Sequence, residues 1–181
     1  MKTVLVVLSV ALLVGIASAA PVVTFDSYSP VDTCQGTISS GGLDFSGGYC
    51  MGVWTGNPNG NGTPALIYDN FGGGQVVTMS LTGGGAFTLN SVDMAISWYD
   101  ANAMETILVN GNPLMLMQMQ MTYNLNLSGV TSVTFTEIPG GPGYWLMDNV
   151  NYSTTPEPGT LALLGSGLLG GVSLLRRKLM L

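Results

Sequence analysis

Carboxylates are the main side chains in residues 21–155 that can act as an acid, a base or a metal ligand. Nine of the chain's ten acidic residues lie there: Asp26, Asp32, Asp44, Asp69, Asp93, Asp100, Glu105, Glu137 and Asp148. Glycoside hydrolysis needs two carboxyl groups about 5 to 9.5 Å apart. Asp93 with Asp100, or Glu105 with Glu137, are the pairs to consider for it. Solvated surface acids explain these residues more simply, and we expect no enzyme activity.

Basic side chains are missing from the same segment. The chain's four Lys and Arg residues are Lys2, Arg176, Arg177 and Lys178, and it has no His. Without Lys or Arg, nothing in the segment neutralises phosphate groups, so we expect no nucleic-acid partner. Without His, a Ser-His-Asp or Cys-His site and a His-ligated metal are excluded.

Two of the acids fit a calcium site. Ca²⁺ takes oxygen ligands from carboxylates, amides and backbone carbonyls. Asp26 lies at the end of the first predicted strand and Asp148 within the last, so they are neighbours if the terminal strands pair. Asp and Asn also make local turns and caps, which need no metal. The sequence leaves a structural Ca²⁺ at Asp26 and Asp148 and a metal-free domain as alternatives.

Aromatic residues beside polar loops suggest a sugar-binding surface. Trp54, Tyr99 and Trp145 lie in or beside predicted loops, where exposed rings can stack on sugar rings. The asparagines of residues 57–61 would then hydrogen-bond sugar hydroxyl groups. Core packing is the alternative and the more common role of Trp. Trp98 is expected in the core, because it continues the apolar alternation of its strand.

Four methionines follow one another at a spacing of two: Met115, Met117, Met119 and Met121. In a single strand such residues share one face. Thioethers are soft ligands that suit Cu(I), but Met also fills ordinary cores. Both interpretations stay open.

The two ends of the chain predict export. Residues 1–19 are typical of a secretory signal peptide, with an apolar run before Ala17-Ser18-Ala19. Residues 156–181 combine Pro156-Glu157-Pro158, an apolar stretch of about 16 residues and a basic cluster. The stretch is short for a hydrocarbon core of about 30 Å, yet it predicts a transmembrane helix with its basic end in the cytoplasm. Residues 20–155 then form one domain on the outer side of the inner membrane.

The tail resembles a known sorting signal. Pro156-Glu157-Pro158, an apolar helix and a terminal arginine cluster are similar to the PEP-CTERM signal of exopolysaccharide-producing Gram-negative bacteria. The resemblance implies that export machinery delivers the protein and that the tail anchors it transiently in the membrane. It also implies cleavage near the motif by an exosortase, with the domain going to the cell surface or the extracellular biofilm matrix.

The only cysteines are Cys34 and Cys50. In an exported protein such a pair predicts a disulfide. The bridge would close a loop of about 17 residues and stabilise the fold by roughly 3 kcal/mol. Two free buried thiols are the alternative.

Short β-prone runs between Gly, Asn, Pro and Asp clusters predict an all-β domain. Asn110-Gly111 is a strong hairpin turn signal, and the Gly- and Asn-rich residues 46–62 are predicted as surface loops. Many short strands favour an antiparallel β-sandwich of jelly-roll type. The predicted strands are 22–25, 75–81, 86–98, 106–109, 114–123, 130–138 and 144–152.

Three short segments of the domain resemble the passenger domains of other PEP-CTERM proteins: Thr24-Phe25-Asp26, residues 87–92 and residues 147–152. Those passengers are similar to galactose-binding-like or carbohydrate-binding-module jelly rolls. The resemblance implies a non-enzymatic matrix protein with exopolysaccharide as its partner. A self-associating structural surface protein is the second hypothesis, since low charge and strand edges favour assembly. A small glycoside hydrolase is the third.

Overall fold

Eleven antiparallel strands build the part of the domain that the structure describes. The computed structural model describes residues 21–28, 31–69, 76–98, 104–138 and 144–154, and the tail residues Gly165, Gly167, Leu168 and Gly171, which are helical. The strands are β1 (Val22–Val23), β2 (Val31–Ser40), β3 (Leu43–Trp54), β4 (Ala65–Asp69), β5 (Val76–Leu81), β6 (Phe87–Ile96), β7 (Met104–Val109), β8 (Asn112–Met117), β9 (Met121–Val130), β10 (Ser132–Glu137) and β11 (Tyr144–Thr154). Hydrogen-bonded neighbours follow the order β8-β7-β10-β5-β3-β4-β11-β6-β9, with β2 on β3 and β1 on β11. The prediction of an all-β antiparallel domain is confirmed.

Strand β3 joins two halves of this sheet. Its residues 43–47 pair with β5, and its residues 50–54 pair with β4. Gly47 lies at the change of partner with a φ of +96°, and a Cβ there would collide with the backbone carbonyl oxygen of Val76. Glycine is therefore required where the two backbones approach most closely. The sheet divides at β3 into a β5-β10-β7-β8 half and a β4-β11-β6-β9 half.

The two halves face each other across one apolar core. Val77 and Phe135 enter it from the first half, and Tyr68, Met94 and Trp145 from the second. The ring centroid of Trp145 lies 5.8 Å from that of Phe135 and 5.2 Å from that of Tyr68. Strands β5 and β10 bury alternate residues, as expected where one sheet face covers a core. The arrangement is that of a β-sandwich.

The Asn110-Gly111 hairpin between β7 and β8 is confirmed. Both residues have positive φ, at 48° and 80°, as the favoured two-residue hairpin turn requires. The strand after it ends sooner than predicted, because β8 stops at Met117 and β9 begins at Met121. The four methionines therefore do not lie on one strand.

The predicted surface loop over residues 46–62 is wrong for its first half, where β3 runs to Trp54. Glycines lower β-propensity, but pairing with β2 and β4 supplies backbone hydrogen bonds that outweigh it. The disulfide between Cys34 on β2 and Cys50 on β3 is confirmed, with an S–S distance of 1.99 Å. It therefore links two strands that also pair through their backbones.

The predicted signal peptide and most of the sorting tail lie outside the described residues. Among the residues that are described, no helix is both long and apolar enough to cross a membrane. The signal peptide over residues 1–19 and the transmembrane helix stay predictions.

Candidate functional site

The outer face of the β4-β11-β6-β9 half carries a second apolar cluster. It is termed the outer patch and consists of Trp54, Ala65, Ile67, Ala95 and Leu146. These residues alternate along their strands with core residues such as Leu66, Met94 and Trp145. Because successive side chains of a strand point to opposite faces, the outer patch lies on the side of the sheet away from the core.

Residues 55–64 form a loop over part of the outer patch, and three asparagines fix it. Asn57 Nδ2 donates to Ser97 Oγ at 3.1 Å, and Asn59 Nδ2 donates to the carbonyl oxygen of Ile96 at 2.8 Å. Asn61 Nδ2 donates to Asp148 Oδ2 at 3.1 Å. These amides were predicted to bind sugar hydroxyl groups, but they hold the loop against the sheet.

Trp98 stands at the open edge of the outer patch. Its side chain is 47% exposed, and its ring lies edge-on to that of Trp54, with centroids 6.4 Å apart and planes at 62°. The prediction that Trp98 is in the core is wrong. Strand β6 ends at Ile96, and the alternation ends with it. Ser97 is buried where Trp98 was predicted to be, and the Ser97 N–H donates to the Tyr144 carbonyl oxygen at 2.9 Å.

Of the three predicted sugar-binding residues, the two that the structure describes do not lie on one surface. Trp54 is the last residue of β3 and is half-buried at the outer patch. Trp145 is fully buried in the core, so its prediction as a stacking platform is wrong: it lies on β11 between β4 and β6, where no ring face is free. Tyr99 lies outside the described residues. The structure instead pairs Trp54 with Trp98. No local sequence signal indicated this pairing, because Ser97 and Trp98 both continue the alternation of the strand.

Asp148 is a carboxylate buried beneath the loop. Its Oδ2 accepts hydrogen bonds from Thr63 Oγ1 at 2.9 Å and Asn61 Nδ2 at 3.1 Å. Its Oδ1 has no hydrogen-bond partner. Burial raises the pKa of Asp148 above its usual 3.8, and the charge of Asp26 adds to the rise. The nearby backbone N–H of Asn149 and the side chains of Thr63 and Asn61 oppose it.

Asp26 and Asp148 lie near each other, as the pairing of β1 with β11 and the effect of the Asp26 charge on the pKa of Asp148 show. Asp26 is exposed and Asp148 is buried, so the two carboxylates differ in hydration. No cluster of three or more His, Cys, Asp or Glu residues suited to a metal exists within the described residues. A Ca²⁺ ion would therefore also have to use neutral oxygens, and the free Oδ1 of Asp148 is the ligand best suited to it.

The carboxylate pair considered for hydrolysis is inaccessible. Glu105 on β7 and Glu137 on β10 lie on the core face of neighbouring strands, since Glu137 is opposite Ile107. They are only 7% and 1% exposed. A glycosidic bond cannot reach them without opening the sheet. Asp100, of the other pair, lies outside the described residues.

Comparisons with known proteins identify a motif in the tail but do not assign the domain to a family. No curated protein matches the chain. One matching solved structure comprises the CBM22-1–GH10 modules of the Clostridium thermocellum endo-1,4-β-D-xylanase 10B, complexed with xylohexaose. It is 12% identical with a TM-score of 0.42, and the match covers 78% of this chain and 29% of that one. The chain thus spans less than a third of that protein's length.

Residues 154–178 match the PEP-CTERM protein-sorting motif. The match includes Pro156, Glu157 and Pro158, the apolar stretch and the basic cluster. The chain therefore carries a PEP-CTERM sorting signal, and this signal implies export, transient anchoring in the membrane and processing by an exosortase.

Proposed function

We propose that the domain is a non-enzymatic module of jelly-roll type that binds polysaccharide at the cell surface or in the extracellular matrix. The observation that supports this most directly is Trp98, whose indole is 47% exposed at the edge of the outer patch. An exposed indole offers a flat apolar face on which a sugar ring can pack. Contact with Trp54 holds that ring in place, which lowers the entropy lost on binding.

The chemistry of the surface selects a neutral polymer. Sugar rings present C–H faces that pack on indole rings, and this contact needs no basic residue. Residues 21–155 carry nine carboxylates and no Lys, Arg or His. An anionic polysaccharide would be repelled at long range unless Ca²⁺ bridged the two. The preferred ligand is therefore neutral, and binding of an acidic polymer would require Ca²⁺.

Two of the edge strands, β8 and β9, are poorly suited to self-association. At one end of the strand order, β8 carries Pro113, which cannot donate a backbone hydrogen bond. At the other, β9 has an extra residue at two places against β6, with Asn126 and Gly129 at positive φ. Bulges and proline at an edge disfavour pairing with another chain.

Glycan binding by Trp98→Ala is the experiment that tests the proposal. The full chain, purified in detergent, is compared with the variant against neutral glucans, mannans, xylans and galactans by affinity electrophoresis. We expect the substitution to weaken binding about 10-fold or more with little change in Tm. Ile138→Ala, at a side chain that is 37% exposed, is the matched control and should bind as the wild type does.

Two outcomes contradict the proposal. One is the absence of binding at millimolar glycan, with or without Ca²⁺, which would favour the structural surface protein. The other is binding that Trp98→Ala leaves intact, which would place the sugar elsewhere on the domain.

A further inference from the structure

Methionine dominates the exposed apolar surface of the described residues. Five Met side chains are 42% to 69% exposed: Met104, Met115, Met117, Met119 and Met121. Met is among the residues most often buried in proteins. Core packing therefore does not explain these residues, although it does explain Met79 and Met147, which are fully buried.

Three of the exposed methionines lie on one face of the β7-β8 hairpin. Met104 on β7 is directly opposite Met117 on β8. Met115 precedes Met117 by two residues and shares its face, whereas the intervening Leu116 is buried on the other side. Side chains directly opposite have Cβ atoms about 4.5–5.5 Å apart, and residues two apart along a strand are separated by about 7 Å.

The hairpin fixes this placement. The positive φ angles of Asn110 and Gly111 set the register that puts Met104 opposite Met117. The Met117 N–H donates to the Tyr123 hydroxyl at 3.1 Å, which ties the end of the edge strand to β9. Met side chains are unbranched and flexible, so three sulfur atoms on this face can converge on one ion.

We propose that Met104, Met115 and Met117 form a binding site for a soft monovalent cation, Cu(I). Thioethers prefer Cu(I), while hard divalent ions prefer oxygen. The chain has no His, and no free cysteine exists among the described residues, so no stronger soft ligand competes there. The net charge of −6 favours the approach of any cation.

Competition with a chromogenic Cu(I) chelator tests the site. The full chain in detergent is titrated with Cu(I) under ascorbate, and X-ray absorption identifies the ligand atoms. We expect one Cu(I) per chain with sulfur-only ligation. Met104→Leu/Met117→Leu should lower the affinity at least 10-fold at unchanged Tm, because Met-to-Leu exchanges conserve volume. Met79→Leu, in the core, is the control and should bind normally.

The proposal is overturned if the wild type yields all Cu(I) to a chelator at micromolar concentration. It is equally overturned if the double variant binds as tightly as the wild type, or if the absorption spectrum shows nitrogen or oxygen ligands. The spectrum is measured on the wild-type protein, so it decides the matter even if the double variant fails to fold.

Discussion

Asp148 lies directly opposite Asp93 on the neighbouring strand, so two carboxylates share one row of the outer sheet face. Both carboxylate oxygens of Asp93 accept hydrogen bonds. Asn149 Nδ2 donates to Oδ2 at 2.8 Å, and Thr122 Oγ1 donates to Oδ1 at 2.5 Å. Asp148 is buried and keeps one oxygen without a donor. Burial, and to a lesser extent the charge of Asp26, disfavour the ionised form of Asp148 and raise its pKa. A proton on Asp148 or a bound cation would therefore stabilise this buried carboxyl group.

The stability of the metal-free domain should fall as the pH rises through the pKa of Asp148. That pKa is raised above 3.8 by burial. Between 3.8 and the raised value, the native state keeps a proton that the unfolded state has lost, so stability decreases with pH. Asp148→Asn should abolish this decrease and raise the Tm at neutral pH. The measurement is Tm against pH in EDTA.

Asp44→Asn is the control of opposite sign. Hydrogen bonds from Ser39 and Thr82 lower the pKa of the Asp44 carboxyl. Its contribution to stability is present above the unfolded pKa and is lost as the pH falls, so this variant should leave the decrease due to Asp148 in place. A wild-type Tm that does not change with pH in this range would contradict the protonation account.

Calcium should reduce the Tm difference between the wild type and Asp148→Asn if Asp148 and Asp26 bind it. The Tm of the wild type would then rise with millimolar Ca²⁺, because a ligand that binds only the native state stabilises it. The Tm of the Asn variant would not rise. Mg²⁺ at the same concentration is the control, since it demands a stricter octahedral geometry. An equal Tm shift in both proteins would place Ca²⁺ elsewhere.

Removing the disulfide should cost roughly 3 kcal/mol of unfolding free energy. Cys34 and Cys50 are separated by 16 positions, and the bridge limits the freedom of the unfolded chain over that loop. Urea unfolding of Cys34→Ser/Cys50→Ser against the wild type measures the loss. Reduction of the wild type should lower stability by the same amount. Two thiols that react with iodoacetamide in the unreduced native protein would contradict the bridge.

The two tryptophans that the sequence assigned wrongly should respond in opposite ways. Trp145 is fully buried against Phe135 and Tyr68, so Trp145→Ala should cost about 3–5 kcal/mol. Trp98 is 47% exposed and packs edge-on against Trp54, so Trp98→Ala should cost only about 1 kcal/mol, the typical contribution of an aromatic pair. Chemical denaturation of both variants measures this. Equal losses would show that Trp98 supports the fold.

Local patterns predicted much of this fold. Alternation located β5, β6, β10 and β11, and Asn110-Gly111 predicted the hairpin between β7 and β8 because positive φ is a local requirement. The cysteine pair predicted the disulfide because no other partner exists. Strand β2 was missed, and β3 was read as loop, because their glycines are compensated by pairing across the sheet, which no local window contains.

The candidate site was harder to predict, since it depends on long-range contacts. Asn61 and Thr63 reach Asp148 across more than 80 residues of sequence. Trp54 and Trp98 likewise come from different strands, and only the folded sheet places them together. The sequence does show which residues are aromatic or acidic. It does not show which of them face the core.

Processing at both ends is the prediction that tests the sorting signal. The motif spans residues 154–178, and residues 1–19 are predicted as a signal peptide. In a host that has an exosortase, the secreted protein should begin near Ala20 and end near Pro156, as intact-mass spectrometry can show.

Pro156→Ala/Glu157→Ala should leave the chain in the membrane fraction, because the exosortase would no longer recognise the tail. Thr160→Ala, three residues after Glu157, is the matched control and should be processed normally. A wild-type chain that stays full-length in the inner membrane of such a host would show that the tail is an ordinary anchor.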